Sequence, residues 1–339
     1  MKIALLTPTF SQFSGIDRVV ELNAEEFAKK NDVTIFTFKA GIKPKNRKIK
    51  IIEIGMPRNQ FLERIYRLFF FLDFLKIKKY GNMLKDYDVA ISHLYPMNLL
   101  ALYAKKHYKT RYIYHNHGVA FPYLFKNPLE RLYMELFKII SNISVKKADS
   151  ANSISKFLQG ELKKETGINS KIVYDPIDKK RFHMGISGKK IRDKYKLGKD
   201  PVCLYVGRIS PHKGIHLLIE SFNLVLKEVP NAKLLIAGKP TFDSYFKKLE
   251  KLGNKSVIFA GFVADEKLPE YYAACDVYTT ATLWEGFNMT VAEAQACGKP
   301  VVAFNLCSHP EVVKKGILVK PKDTEEFARA IIKLIKRKK

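Results

Sequence analysis

The sequence predicts an α/β protein built from two open parallel-sheet domains. Three observations carry that prediction: short apolar runs alternate with helix-period segments, the alternation occurs twice, and a polar, lysine-rich passage separates the two series. In the first half, strands fall at residues 3–7, 33–38, 89–92, 112–115 and 148–151, with a helix at 18–29 between the first two. Residues 172–174 close this series. Asp175-Pro176-Ile177-Asp178 and the polar stretch as far as Asp200 then read as the linker, which sets expected domains of 1–180 and 181–339. The second half resumes with a strand at 202–206 and a helix at 215–226. Strands at 233–237, 257–260, 277–280, 301–304 and 317–319 follow. The last helix belongs to the second domain, with a return toward the first as its alternative place. Two such sheets leave a cleft, and ligands bind at the carboxyl ends of their strands.

The 339 residues are 47% hydrophobic, enough for two cores. A formal charge of +27 attracts polyanions, whether nucleic acid, anionic lipid or phosphorylated substrate, and charge alone does not choose among them. Part of the excess is local: residues 43–111 carry 16 Lys and Arg against 5 Asp and Glu. No nucleic-acid reading motif accompanies it, so no specific nucleic-acid partner is expected. The four cysteines, at 203, 275, 297 and 307, lack metal-ligand spacing and read as small core residues of a reducing compartment. The amino terminus is a first strand, too short in apolar length for a secretory signal, and no stretch is long enough to span a membrane. The expected location is cytoplasmic.

Two segments carry the chemistry. Gly207-Arg208-Ile209-Ser210-Pro211-His212-Lys213-Gly214 lies between the 202–206 strand and the next helix. Arg208 offers a planar fork of donors, Lys213 a compact charge, and the two glycines a backbone able to bend close to a bulky anion. Glu285-Gly286-Phe287-Asn288-Met289-Thr290-Val291-Ala292-Glu293 lies between another strand and a helix that ends near Ala296. The first N–H groups of that helix form an anion site, and Gly286 has no side chain to obstruct it. Glu285 and Glu293 accept hydrogen bonds from sugar or ribose hydroxyls, a task cations cannot perform. Their spacing alone means little, since Glu220 and Glu228 share it on a helix face. Their position at a strand-to-helix junction gives it weight.

With these segments the chain resembles the family-four glycosyltransferases, which have the GT-B fold of two facing Rossmann-like domains and retain anomeric configuration. Further matches are Tyr271-Tyr272-Ala273-Ala274-Cys275-Asp276-Val277, Pro310-Glu311-Val312 and Gly316-Ile317-Leu318-Val319. The resemblance implies that Arg208 and Lys213 hold the donor diphosphate, that Glu285 contacts the transferred sugar and that Glu293 binds the ribose. It implies that Gly207 and the backbone of Gly286, Phe287, Asn288, Met289 and Thr290 line the same pocket. In the first domain it points to Gly15, before which Ser14 stands where the family has a second glycine. It also points to His117, a histidine directly before a glycine at a strand end, with His115 in reserve. Loop 306–309 departs from the family's glycines.

No metal is expected, because no carboxylate or cysteine lies near His115 and His117 in sequence. Residues 61–79 bear Phe61, Leu62, Ile65, Leu68, Phe69 and Leu72 at helical spacing among basic side chains. They read either as a face for an anionic membrane surface or as a core helix with snorkelling cations. The expected activity is hexosyl transfer from a UDP- or GDP-sugar, without a cofactor, to a sugar, polyol or lipid-linked acceptor in glycan or glycolipid synthesis. Histidine 117, Arg208, Lys213 and Glu285 are its catalytic candidates. A same-fold epimerase or phosphorylase and a basic nucleic-acid-binding protein are the alternatives.

Overall fold

The computed structural model describes residues 1–11, 15–118, 122–124 and 127–337. It contains two compact units, Met1–Pro176 and Ile177–Lys339. The first unit opens with β1 (Lys2–Phe10), α1 (Gly15–Phe27), β2 (Asp32–Ala40) and β3 (Lys50–Glu53). Next come α2 (Gln60–Phe69), α3 (Phe74–Asn82), β4 (Val89–Ser92) and α4 (Asn98–Tyr108). It closes with β5 (Arg111–Asn116), α5 (Pro128–Val145), β6 (Ser150–Ser153), α6 (Lys156–Thr166) and β7 (Lys171–Ile172). All seven strands are parallel, in the order β3-β2-β1-β4-β5-β6-β7. Sequence periodicity misses β3, an edge strand with only two apolar residues and partial exposure.

The second unit begins with α7 (Lys189–Lys194), a short helix inside the expected linker, and then β8 (Val202–Val206) and α8 (Ile215–Glu228). It continues with β9 (Lys233–Ala237), α9 (Asp243–Leu252), β10 (Val257–Gly261), α10 (Leu268–Ala274) and β11 (Val277–Thr280). The last elements are α11 (Met289–Ala296), β12 (Val301–Phe304), α12 (His309–Val312), β13 (Gly316–Val319) and α13 (Thr324–Lys336). Six parallel strands run β10-β9-β8-β11-β12-β13. Strands β8, β11 and β12 are buried along their whole length, as expected where helices cover both faces of a sheet. Phe327 and Ile331 of α13 pack with Ile215, Leu218 and Phe222 of α8 in the core of this unit.

Strand order decides where loops meet. In each sheet the chain changes direction of winding between two neighbouring strands, β1 and β4 in the first and β8 and β11 in the second. At such a switch the connections leave on opposite faces and open a crevice at the carboxyl ends. The loop after β8 is 207–214 and the loop after β11 is 281–288, so the pairing Val277↔Cys203 and Tyr278↔Leu204 delivers both segments to one edge.

The 61–79 segment is two helices rather than one. Asp73 separates them: its carboxylate accepts the Lys76 N–H at 3.1 Å, capping α3, and the Tyr66 hydroxyl at 2.9 Å. Of the six apolar residues named there, Leu68 alone is buried, while Phe61 is 69% and Leu72 58% exposed. The core-helix alternative therefore fails. On neighbouring α5, Leu129, Leu132, Leu136, Ile139 and Ile143 are exposed too. Their spacing places them within about 80° of helix circumference.

Candidate functional site

The loop after β8 is built tightly. Gly207 N–H donates to Ala237 at 2.9 Å and Ile209 N–H to Lys239 at 3.0 Å, which lashes the loop to the end of β9. The buried Tyr205 hydroxyl donates to the Arg208 carbonyl at 3.0 Å, and Arg208 leaves its side chain exposed. A single 3-10 turn, Pro211–Lys213, ends at Gly214 with φ +65°. A Cβ at Gly214 would collide with the Ala281 carbonyl oxygen, so glycine is demanded by the protein's own packing. The sequence reading assigned that glycine to close approach of an anion. Gly15 differs: it is exposed at the start of α1, and a Cβ there would meet nothing within 4 Å. Residues 13 and 14 lie outside the described residues.

Lys213 reaches across to the second segment. Its Nζ lies 2.5 Å from Glu285 Oε2, with the side chains 16% and 19% exposed. Burial on its own would raise the Glu285 carboxyl; the Lys213 charge and hydrogen bond, helped by His309 and His212, reverse this and hold it below the usual range. His212 sits among the same charges. Burial, then Lys213 and Arg208, push it down to about 4, so it is neutral at pH 7. Lys213 and Glu285 thus meet across the two segments, and the charge of Arg208 is felt at His212 beside them.

The start of α11 is held open by its own neighbours. Asn288 takes a left-handed backbone, φ +71°, which Asn tolerates, and its side chain makes no capping bond to the helix. Its Oδ1 accepts the Thr290 hydroxyl at 2.8 Å, and its Nδ2 donates to His309 Nε2 at 2.9 Å. His309 Nδ1 in turn donates to the Phe304 carbonyl at 2.8 Å, which fixes the tautomer; burial lowers its pKa and keeps it neutral. No side chain caps the first turn of α11, where the Val291 N–H donates to the Asn288 carbonyl at 3.0 Å. Ser308 Oγ donates to the Glu285 carbonyl at 3.2 Å.

Glu293, one turn into α11, is buried, and its Oε2 accepts the Tyr272 hydroxyl at 2.7 Å. Tyr278, whose hydroxyl donates to Thr290 at 2.7 Å, has its pKa raised first by burial and then by the charges of Glu293 and Glu285. Both carboxylates therefore act on the same strand end.

Sequence reasoning missed Tyr272, Tyr278, Ser308 and His309, which position the carboxylates and the helix start. A usable signal existed for the tyrosines: an aromatic hydroxyl in an apolar stretch needs a partner once buried. His309 had no such signal.

Histidine 117 belongs to the first unit. It is buried, and its Nε2 lies 2.9 Å from His93 Nδ1. Burial, then the charges of its histidine neighbours, lowers the pKa of His117 and of His93 well below the ordinary value.

Two doubly wound parallel sheets, with both charged loops at the switch point of the second, define an α/β protein with a ligand crevice at the carboxyl ends of its strands. Residues 187–339 match the family model for glycosyl transferases group 1, and residues 13–181 that for glycosyltransferase family 4. An uncharacterised glycosyltransferase of Methanocaldococcus jannaschii is 30% identical over 296 residues, 82% of this chain and 71% of that protein. The O-antigen chain mannosyltransferase B of Escherichia coli is 31% identical over 147 residues, 42% of this chain and 39% of that one. The structure of Anabaena HepE in complex with UDP and glucose aligns with a TM-score of 0.81 at 21% identity, covering 100% of this chain and 90% of that one. The chain belongs to the family-four, group 1 glycosyltransferases and has the GT-B fold.

Proposed function

We propose that this glycosyltransferase moves a hexosyl group from a nucleoside diphosphate sugar to an acceptor hydroxyl with retention of configuration. Charge on the departing diphosphate is stabilised by Arg208, Lys213 and the start of α11 rather than by a metal ion. The observation that carries the reading is the Lys213–Glu285 pair, which joins the loop of Arg208 to the segment that leads into the uncapped start of α11. As the glycosidic bond breaks, negative charge grows on the diphosphate, and donors fixed in advance lower the barrier because they need not reorganise. Glu285 takes a sugar hydroxyl, Glu293 the ribose, and the backbone from Gly286 to Thr290 lines the phosphates. The leaving phosphate accepts the acceptor proton.

The relatives supply the context of this reading. HepE was solved with UDP and glucose, and the E. coli relative is an O-antigen mannosyltransferase. They support a nucleoside diphosphate sugar donor and a glycan acceptor. Among the described residues no helix is long and apolar enough to cross a membrane. The exposed apolar side chains of residues 61–79, interleaved with Arg64, Arg67, Lys76, Lys78 and Lys79, support docking on an anionic lipid surface.

Thermal shift against UDP-, GDP- and ADP-sugars is the first test, because ligand at 100 times its Kd stabilises by about 2.7 kcal/mol. Product analysis with donor alone and with donor plus acceptor then separates transfer from epimerisation or phosphorolysis. Stabilisation by none of the nucleotide sugars rejects the reading.

A further inference from the structure

The second unit begins at Ile177, and its first few residues grip α10. Asp178 sets the turn of this segment: its carbonyl accepts the Arg181 N–H at 3.0 Å and the Phe182 N–H at 2.9 Å. Arg181 Nη2 donates to the Asp265 carbonyl at 2.6 Å, and Nη1 lies 2.7 Å from Asp265 Oδ2, with both side chains largely shielded. Asp265 opens the single 3-10 turn, Asp265–Lys267, that leads directly into α10. Phe182 is buried, and its ring meets that of Tyr272 edge-on, with centroids 5.7 Å apart. The Arg181 guanidinium also lies over the Phe182 ring, 4.9 Å from its centroid.

Both contacts bear on α10, one at its entry turn and one at Tyr272 in its second turn. Tyr272 is the residue whose hydroxyl donates to Glu293 at 2.7 Å. A line of contacts therefore runs from Asp265 through Arg181, Phe182 and Tyr272 to Glu293 of α11. Arg181 and Asp265 are 84 positions apart, so only the fold brings them together. A planar fork that engages a carbonyl and a carboxylate at once fixes orientation as well as distance, which a single ammonium does not. A hydrogen bond weakens steeply once its angle is lost, so the Glu293 carboxylate is only as well placed as the helix that carries Tyr272.

We propose, on the reading in which Glu293 takes the ribose hydroxyls, that Arg181 is a positioning residue for the donor's ribose: by gripping the entry turn of α10 it sets Tyr272, and through Tyr272 the Glu293 carboxylate. Arg181 itself touches no donor atom in this assignment. Its removal loosens the ribose end, while the diphosphate end keeps the Lys213–Glu285 contact, which Arg181 does not make.

The test is calorimetric titration of the full chain with three probes: UDP or GDP, whichever binds more tightly, the 2′,3′-dideoxy form of that nucleotide, and inorganic pyrophosphate. The wild type should prefer the ribonucleotide to its dideoxy form by about tenfold or more, as for loss of hydrogen bonds to a charged group. Arg181→Met keeps an aliphatic stem on Phe182 and loses the fork. It should cut the preference to about threefold or less, with pyrophosphate affinity unchanged. Retained pyrophosphate binding shows that the variant is folded. A wild-type preference in Arg181→Met overturns the proposal, and so does loss of pyrophosphate binding, which would mean a general loosening of the unit. A wild type that binds nucleotide without preferring ribose removes the role of Glu293 and this proposal together. A wild type that binds no nucleotide removes the sugar-transfer reading itself.

Discussion

Replacing Lys213 by alanine separates the structural and chemical roles of one side chain. In the free protein Lys213 neutralises Glu285 at 2.5 Å, and both side chains are more than four-fifths shielded. Truncation strands a largely buried carboxylate, which costs about 3–5 kcal/mol for a fully buried pair, with the lower end, about 3 kcal/mol, suited to this partial exposure. For a unit of this size each kcal/mol moves the melting temperature by roughly 2–4 °C, so a fall of roughly 6–12 °C is expected. Transfer should drop about 10²–10³-fold, as for loss of one group that stabilises charge in the transition state. Adding Glu285→Gln removes the stranded charge. The double variant should regain most of the lost stability and none of the turnover, because a neutral amide needs no cation whereas the diphosphate still does. Differential scanning calorimetry and initial rates on the same preparations check both halves. A single variant that melts with the wild type, or a double variant that recovers transfer, would refute the reasoning.

Tyr272→Phe deletes the hydroxyl held by Glu293 at 2.7 Å; the loss should be about 1–2 kcal/mol, seen as a raised donor KM with kcat nearly unchanged. An unchanged KM would remove Tyr272 as the positioning residue. Gly214→Ala forces a left-handed alanine into the Ala281 carbonyl and should cost roughly 3 kcal/mol or more by urea unfolding. Gly15→Ala, with open space above it, should unfold like the wild type; if the two variants behave alike, the packing argument is wrong. Asp17 gives a pH dependence. Burial, opposed by hydrogen bonds from Ser11 and Thr9, raises its pKa to about 6, so the folded chain holds this proton more tightly than the unfolded chain. The proton's stabilising contribution is complete below about pH 4 and disappears by about pH 6, a change of order 3 kcal/mol. Asp17→Asn should flatten that slope when unfolding free energies at pH 4.5 and 6.5 are compared, and an identical slope in both proteins would rule it out.

Local pattern was sufficient for a good part of this protein. Alternating apolar runs specify strands and helices because periods of 2 and 3.6 residues are properties of short segments. The loops at 207–214 and 285–293 were legible for the same reason: glycine, cation and carboxylate stand within one connection, next to the strand that presents them. The short edge strand β3 lacked that information, having too few apolar residues to show a period.

Tertiary structure decided how the pieces combine. Lys213 and Glu285 are 72 positions apart, and Tyr272 and Glu293, like Asn288 and His309, are 21 apart. Each pair exists because β8, β11 and β12 lie side by side, an order that no single segment encodes. The same holds for His93 beside His115, set by the register of β4 on β5, and for Asp175, which reaches them after β7. It holds again for residues 61–79, whose period announced an amphipathic helix but not its environment. Whether an apolar stripe faces a core or solvent depends on which elements arrive to cover it, and contact at long sequence separation is settled by packing of the whole sheet rather than by local propensity.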